Sequence, residues 1–283
     1  MDRDLLPEIE REHAGVERTP DPRATPERPW AARERELVIG RGCLWRISPA
    51  ERQTMFEVGR FRTVAVEDLL RHRYHGNGAD LREDLRSLQA QGLVQRRTAW
   101  IGGRRGKLDV LVLTRRGKEF LEGRDLASAQ ALYSGFVKPS EVAHDAAIYR
   151  MFQAESARIV AQGGTIRRVV LDYELKKCVY APLAKVRVLP ASEYAKRQAA
   201  VAESNGLRVV HGKIPLPDLR IEYQTRDGTS AQVDLELATH HYHGSHLAAK
   251  AAAGFTFYAA EGSAARLTRV MEEREITAAI FAL

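Results

Sequence analysis

Cysteine is scarce in this chain, since its 283 residues include only Cys43 and Cys178, which lie far apart. Two distant thiols do not form a disulfide framework or a cysteine-based zinc site, so we expect a reducing compartment. Apolar runs long enough to span a bilayer are also missing, and Met1 is not followed by the apolar core of a secretory signal. We therefore expect a cytoplasmic protein with no membrane partner.

Basic residues outnumber acidic ones, with 44 Lys and Arg against 37 Asp and Glu and a net charge of +7. This excess favours an anionic partner, although 29% charged residues also occur on ordinary soluble surfaces. The length suits two domains, each large enough to bury a core.

The clearest pattern lies in residues 81–121. Three leucines at helical spacing start it, and Gly92 follows as the C-terminal cap of that predicted helix. Two predicted strands then flank a basic turn at 102–107, and Thr114 caps a further short helix. Helix, hairpin and helix in this order indicate a winged helix-turn-helix, and the segment resembles the dimeric transcription regulators of bacteria and archaea.

Basic side chains crowd this segment, where they would neutralise phosphates and release counterions. Those at the start of the third helix would face base edges, and those of the wing would reach the adjacent minor groove or backbone. The expected DNA-binding residues are Arg82, Arg86, Arg96, Arg97, Arg104, Arg105, Lys107, Arg115 and Arg116. The expected partners are double-stranded DNA, bound without a cofactor, and a second copy in a homodimer. The alternative is a scaffold protein whose winged helix binds protein only.

Four regions follow from the composition. Residues 1–40 are rich in Glu, Arg and Pro, which predicts a disordered or loosely packed N-terminal arm. The winged helix-turn-helix domain is expected over 41–125, with Ser48 capping its first helix. A linker over 126–139 leads to the second domain, 140–283.

The second domain is expected to run helix, strand, hairpin, helix and strand, with the first strand in 166–177 and one helix over 245–259. This is the core order of the restriction-endonuclease-like fold. One arm of the predicted hairpin carries Pro217-Asp218 and the other carries Asp234-Leu235-Glu236, and with these residues the domain resembles the PD-(D/E)XK nuclease superfamily. The predicted fold class is therefore α+β, a winged helix-turn-helix domain followed by a restriction-endonuclease-like α/β domain. The resemblance implies that Asp218 and Glu236 hold Mg²⁺ or Mn²⁺ if the domain is active as a nuclease.

The register of the predicted hairpin decides whether these two acids meet. If Arg226 to Gly228 is a three-residue loop, Thr225 faces Thr229 and Asp218 lies opposite Glu236 on the same face. If the turn has only two residues, Asp218 faces Leu237 and the acids are split across the sheet. Both registers are open at this point.

The usual lysine two residues after the glutamate is missing, because Ala238 stands there. Lys250 on the following helix is the candidate replacement, which makes Asp218, Glu236 and Lys250 the catalytic set if the domain is active. Glu155 on the opening helix or Glu174 on the first strand would add a further carboxylate. The purely structural alternative is that Asp234 pairs with Arg220 across the hairpin and Glu236 is an ordinary satisfied polar residue.

A histidine tract occupies residues 240–246, HHYHGSH. Neutral imidazoles suit transition metals, so His243 and His246 are candidate metal ligands beside Asp218 and Glu236. The alternative is a loop whose histidines contact phosphate or solvent.

The whole arrangement resembles the replication-relaxation family of plasmids and mobile elements over roughly Ser48 to Tyr258. The residues that carry this resemblance, besides the winged-helix block, are His144, Glu174-Leu175, Pro217-Asp218, Leu235-Glu236-Leu237, Lys250 and Phe257-Tyr258. The resemblance implies a DNA-binding protein of a mobile element whose nuclease-like domain is inactive and serves DNA contact or dimerisation. The first alternative is a metal-dependent DNA endonuclease.

Overall fold

The structure, a computed structural model, describes residues 34–40, 42–101, 106–123, 130–239 and 242–283. Over these residues the chain is a mixed α and β protein, as the sequence predicts. Residues 1–33 of the expected arm lie outside the described residues, as do Arg104, Arg105, His240 and His241.

Between residues 34 and 123, the described residues form four helices and two small antiparallel sheets. In chain order they are β1 (Glu36–Gly40), β2 (Cys43–Ile47), α1 (Pro49–Arg60), β3 (Val64–Ala65), α2 (Val66–His72), α3 (Gly78–Ala90), β4 (Val94–Ile101), β5 (Gly106–Leu113) and α4 (Arg115–Glu122). Strands β1 and β2 pair with each other, and the second sheet has the order β3-β5-β4.

Local signals set the ends of these helices. Ser48 caps α1 in a capping box, in which its hydroxyl accepts from the Glu51 amide and the Glu51 carboxylate accepts from the Ser48 amide. The Thr114 hydroxyl accepts from the Gly117 amide at the start of α4. Gly92, with φ of 67°, turns the chain from α3 into β4. The predicted caps at Ser48, Gly92 and Thr114 are confirmed.

The C-terminal elements are helices and the strands of one larger sheet. They are α5 (Val142–Ala161), β6 (Thr165–Leu171), α6 (Asp172–Lys185), α7 (Ala191–Ser204), β7 (Leu219–Gln224), β8 (Ser230–Ala238), α8 (Gly244–Ala252), β9 (Thr256–Ala259), α9 (Glu261–Glu273) and β10 (Ile280–Ala282). The sheet order is β10-β9-β8-β7-β6, with antiparallel pairing from β6 to β8 and parallel pairing from β8 to β10.

Three expectations from the sequence are corrected. Residues 36–40, assigned to the arm, form β1, because Val38 is buried and the strand pairs with β2. Glu174 lies on α6 rather than on the first strand, since β6 ends at Leu171 and acidic residues then favour a helix N-terminus. The helix expected over 245–259 ends early, because Gly254 has φ of 89° and the residues after it pair with β8 as β9.

Helix α5 joins the N-terminal elements to the larger sheet. Tyr149 on α5 is fully buried, its ring centroid lies 5.1 Å from that of Phe61, and its hydroxyl donates to Glu57 Oε1 at 3.0 Å. The segment expected as a linker is also held, since the Gln130 amide group bonds the Val169 backbone in both directions at 2.8 and 2.9 Å. One hydrophobic core therefore runs from the N-terminal helices into the sheet.

Candidate functional site

The β7–β8 hairpin places Asp218 beside Glu236. The Thr225 amide donates to the Thr229 carbonyl at 2.9 Å, and Gly228 has φ of 85°, so the loop has three residues. Leu219 pairs with Leu235, which puts Asp218 opposite Glu236 at the mouth of the hairpin. The two-residue turn, the other register left open by the sequence, is not formed.

Glu236 is the most deeply buried member of this site. It is 1% exposed, and its Oε1 accepts from the Tyr242 hydroxyl and from Lys250 Nζ, the latter at 2.8 Å. Its Oε2 is buried without a hydrogen-bond partner among the described residues. Burial and the neighbouring Asp218 charge raise the pKa of Glu236 to about 7, against the opposing effect of Lys250.

Lys250 reaches the acids from α8, which packs above the sheet. Its Nζ donates to the Leu216 carbonyl at 2.6 Å as well as contacting Glu236. Asp218 Oδ2 accepts from the Leu237 amide at 2.9 Å, which locks this carboxylate against β8. The structure thus brings together the three side chains that the sequence offered as a catalytic set.

A histidine on α5 provides a second cation. His144 Nε2 lies 3.5 Å from Asp218 Oδ2, and its Nδ1 lies 3.7 Å from Asp145 Oδ1. The neighbouring Asp145 and Asp218 carboxylates raise the pKa of His144 to about 10 against the opposing effect of burial, and this shift favours the protonated imidazole. Each acid therefore has its own positive partner, Lys250 for Glu236 and His144 for Asp218.

Sequence reasoning missed two members of this cluster. Tyr242 lies inside the histidine tract, and its hydroxyl bonds Glu236. Asp145 is 6% exposed, and its Oδ2 lies 3.5 Å from Arg62 Nε, which links the cluster to the N-terminal elements. The only local signal for Asp145 was its place directly after His144.

The other candidate acids contact different partners. Glu155 accepts from the Tyr258 hydroxyl at 2.5 Å and from Arg158 at 2.9 Å, and Glu174 bonds Arg168. The pair expected across the hairpin is present, since Arg220 Nε lies 2.6 Å from Asp234 Oδ1.

The candidate metal-ligating histidines stand at the start of α8. His243 and His246 are exposed, and their ring centroids are 6.4 Å apart. Within the described ranges, no group of three or more His, Cys, Asp or Glu side chains has an arrangement that could hold a metal ion.

The expected DNA-contacting residues of α3 lie on its solvent face. Arg82 and Arg86 are exposed, while the leucines of the opposite face are buried in the core. The two arginines line a groove of about 680 Å³ together with Arg35. Arg35 also bonds Glu51 at 3.0 Å and Glu83 at 3.2 Å, so it braces the helix against α1.

The β4–β5 hairpin carries a second exposed basic surface. By strand alternation, Arg96, Trp100 and Lys107 share one face, and the 63% exposed Trp100 ring lies 5.0 Å from Lys107 Nζ. Arg96 pairs with Asp109 at 2.5 Å, and the Thr98 hydroxyl and Arg96 hold the pKa of Asp109 below its usual range. Trp100 was not singled out from the sequence.

The other described arginines that were expected to contact DNA each contact a side chain of the protein. Arg97 lies on the other face of β4, with its guanidinium 5.9 Å from the Phe136 ring centroid. Arg115 pairs with Glu119 at 2.9 Å, and the Arg116 guanidinium is 5.3 Å from the Trp45 ring. All three side chains remain exposed.

Comparison of the chain with protein-family models, curated proteins and solved structures finds no match. The resemblance to the replication-relaxation family therefore stays a prediction.

Across the described ranges, no helix combines the length and the apolar character that crossing a membrane requires.

Proposed function

We propose that this chain is a DNA-binding protein that contacts duplex DNA through α3 and the β4–β5 hairpin. The observation that carries the proposal is the pair of exposed arginines on α3, Arg82 and Arg86, beside a hairpin that exposes Arg96, Trp100 and Lys107. The order of three helices followed by a hairpin supports a winged helix-turn-helix.

In this arrangement α3 would enter the major groove. Its 13 residues span about 20 Å, and its apolar face is committed to the core, so only the arginine face is free to meet DNA. Arg96 and Lys107 would contact phosphates beside the groove, and each contact would release counterions. Binding by such contacts weakens steeply as salt rises.

The test is charge reversal on α3. The double variant Arg82→Glu, Arg86→Glu should lower affinity for a 24-base-pair duplex by more than about tenfold and reduce the salt slope by about 2, because two phosphate or base contacts are lost. Fluorescence anisotropy over a salt series measures both quantities. The control is Arg266→Glu, Arg269→Glu on α9, which makes the same charge change on exposed arginines elsewhere.

Equal losses in the two double variants, or a wild-type protein that leaves the duplex unbound, would contradict the proposal. The second outcome would favour the protein-binding scaffold instead.

For the C-terminal part, we propose a nuclease-like fold that binds DNA without cutting it. The order α5, β6, β7, β8, α8 and β9 around a mixed sheet, with α6 and α7 inserted between β6 and β7, supports the fold assignment. Lys250 and His144 support the loss of cleavage, since each of these basic side chains lies at ion-pair distance from one of the acids, Glu236 and Asp218 respectively. From the family resemblance stated above, we also propose that the protein forms a homodimer and acts in a mobile element.

The second candidate is a metal-dependent DNA endonuclease. It is favoured by the proximity of Asp218, Glu236 and Lys250. The unpartnered Glu236 Oε2 fits a cation, and Asp218 and Glu236 would hold Mg²⁺ or Mn²⁺. Such an ion would neutralise charge on a phosphodiester, while Lys250 would orient Glu236.

Incubation with supercoiled plasmid and Mn²⁺ separates the two candidates. We expect intact DNA with the wild type, with Glu236→Gln and with the surface control Glu203→Gln. Nicking by the wild type and by Glu203→Gln, but not by Glu236→Gln, would make the protein an endonuclease.

A further inference from the structure

A large cleft opens above the acid pair and extends well beyond it. Its volume is about 1170 Å³, and its floor includes Asp218, Glu236 and Lys250. Helices α6, α7 and α8 and the segment 210–216 supply most of the rest of its lining. Helices α6 and α7 lie between β6 and β7 in the chain, so this part of the lining comes from outside the hairpin that holds the acid pair.

The α6 part of the lining presents a stripe of cationic and aromatic side chains. Lys176, Tyr180 and Arg187 all line the cleft, at spacings that keep them on one side of the helix and its end. The stripe from Lys176 to Arg187 is about 16 Å long at helical rise. Tyr180 is 53% exposed, so its ring is available for stacking.

Two of the cations are free to bind an anionic ligand. Lys176 is occupied by Asp172 at 2.5 Å and Lys250 by Glu236 at 2.8 Å. By contrast, Arg187, which follows α6, and Lys213 both line the cleft, are exposed and form no ion pair with the described residues.

We infer that this cleft binds an unpaired nucleic-acid strand. Proteins generally bind single strands with cations that contact the phosphates and with exposed aromatic rings that stack on the bases. The faces of the bases in a duplex are not available for such stacking, because each base pair is stacked on its neighbours. At about 3.4 Å per stacked nucleotide, the stripe of about 16 Å accommodates about five nucleotides.

This inference rests on and extends the proposed DNA binding. In it, α3 and the β4–β5 hairpin bind duplex DNA, while the cleft binds the unpaired strand. The whole chain then recognises a junction between duplex and unpaired DNA, with the strand leading to the Asp218 and Glu236 end of the cleft. The single-strand half of the inference does not depend on the α3 contacts.

The experiment measures three ligands by fluorescence anisotropy with the full chain: a (dT)12 oligonucleotide, a blunt 24-base-pair duplex and the same duplex carrying a (dT)12 extension. The cleft variant is Arg187→Glu, Lys213→Glu. Its control is Lys177→Glu, Lys185→Glu, an equal charge change on exposed α6 lysines that do not line the cleft. Tyr180→Ala tests stacking without any change of charge.

We expect the wild type to bind the extended duplex more tightly than either part. The cleft variant and Tyr180→Ala should each lower (dT)12 affinity by about tenfold, the size expected when a stacking partner or a pair of phosphate contacts is lost. Both should leave blunt duplex affinity within about twofold, because the α3 contacts are intact.

Three outcomes would overturn the inference. A wild type that binds the blunt duplex but not (dT)12 refutes it and leaves the proposed function standing. Equal losses of (dT)12 affinity in the cleft variant and its α6 control show a diffuse charge effect rather than a cleft. Unchanged (dT)12 affinity in both Tyr180→Ala and the cleft variant places the strand elsewhere.

Discussion

Replacement of Arg220 by methionine is expected to lower the free energy of unfolding by about 3–5 kcal/mol. Arg220 is 4% exposed, and its guanidinium bonds both Asp234 oxygens, at 2.6 and 2.9 Å. It also donates to the carbonyls of Asn205 at 2.5 Å and Gly206 at 3.3 Å, which ties the β7–β8 hairpin to the end of α7. Methionine would leave the Asp234 carboxylate without its buried partner.

A second Arg–Asp pair in the chain provides the control. Arg96 and Asp109 also pair across a hairpin, but their side chains are 48% and 39% exposed. Arg96→Met should therefore cost less than about 1 kcal/mol, because water screens an exposed pair. Urea unfolding followed by circular dichroism gives both values.

The double variant Arg220→Met, Asp234→Leu should regain much of the lost stability, since no buried carboxylate is then left unpaired. A cost for Arg220→Met no larger than that of Arg96→Met would show that burial does not decide the contribution of this pair.

Replacement of Gly117 by alanine is expected to cost about 3 kcal/mol or to prevent folding. A Cβ at Gly117 would lie 2.2 Å from the Leu93 carbonyl oxygen and 2.8 Å from a Leu113 methyl group. The Leu93 carbonyl already accepts from the Thr114 amide at 3.1 Å, so neither backbone can move away without breaking the start of α4. The usual gain of about 1 kcal/mol from glycine to alanine in a helix does not offset this clash.

Gly262→Ala on α9 is the matched control, because its Cβ would meet no atom within 4 Å. We expect this change to be neutral or to stabilise the protein by up to about 1 kcal/mol. Thermal unfolding would show the contrast as a lower midpoint for Gly117→Ala by roughly 6–12 °C, at about 2–4 °C per kcal/mol. Similar midpoints for the two variants would mean that α4 shifts freely against β4.

Elements with strong local signals were predicted well. The capping box at Ser48, the leucine spacing of α3 and the cap at Thr114 each act within a few residues, so the sequence alone specifies them. The helix over 245–259 was wrong because a run of alanines favours helix, while the pairing of residues 256–259 with β8 is a long-range contact.

The candidate site shows the same division. Asp218 and Glu236 were recognisable as acids on neighbouring strands, but their hairpin admitted two registers. The Asp227 carboxylate accepts from the Thr225 hydroxyl and from the Thr229 amide, and these bonds stabilise the three-residue loop. The contact of Tyr242 with Glu236 had no comparable sequence signal, and the family resemblance singled out His144 without indicating that it contacts Asp218.

The sequence by itself determined the helix boundaries with caps, the basic character of the α3 segment and hairpin, and the choice of candidate acids. Only the tertiary structure decided that Lys250 reaches Glu236 and that His144 reaches Asp218, because each contact joins elements distant in the chain. Parallel pairing of β8 with β9 carries α8 over the hairpin, and packing of α5 on the sheet brings His144 to its mouth. These contacts depend on the burial of the apolar faces of whole helices and of the sheet, and the sequence of a short segment does not specify how such faces pack.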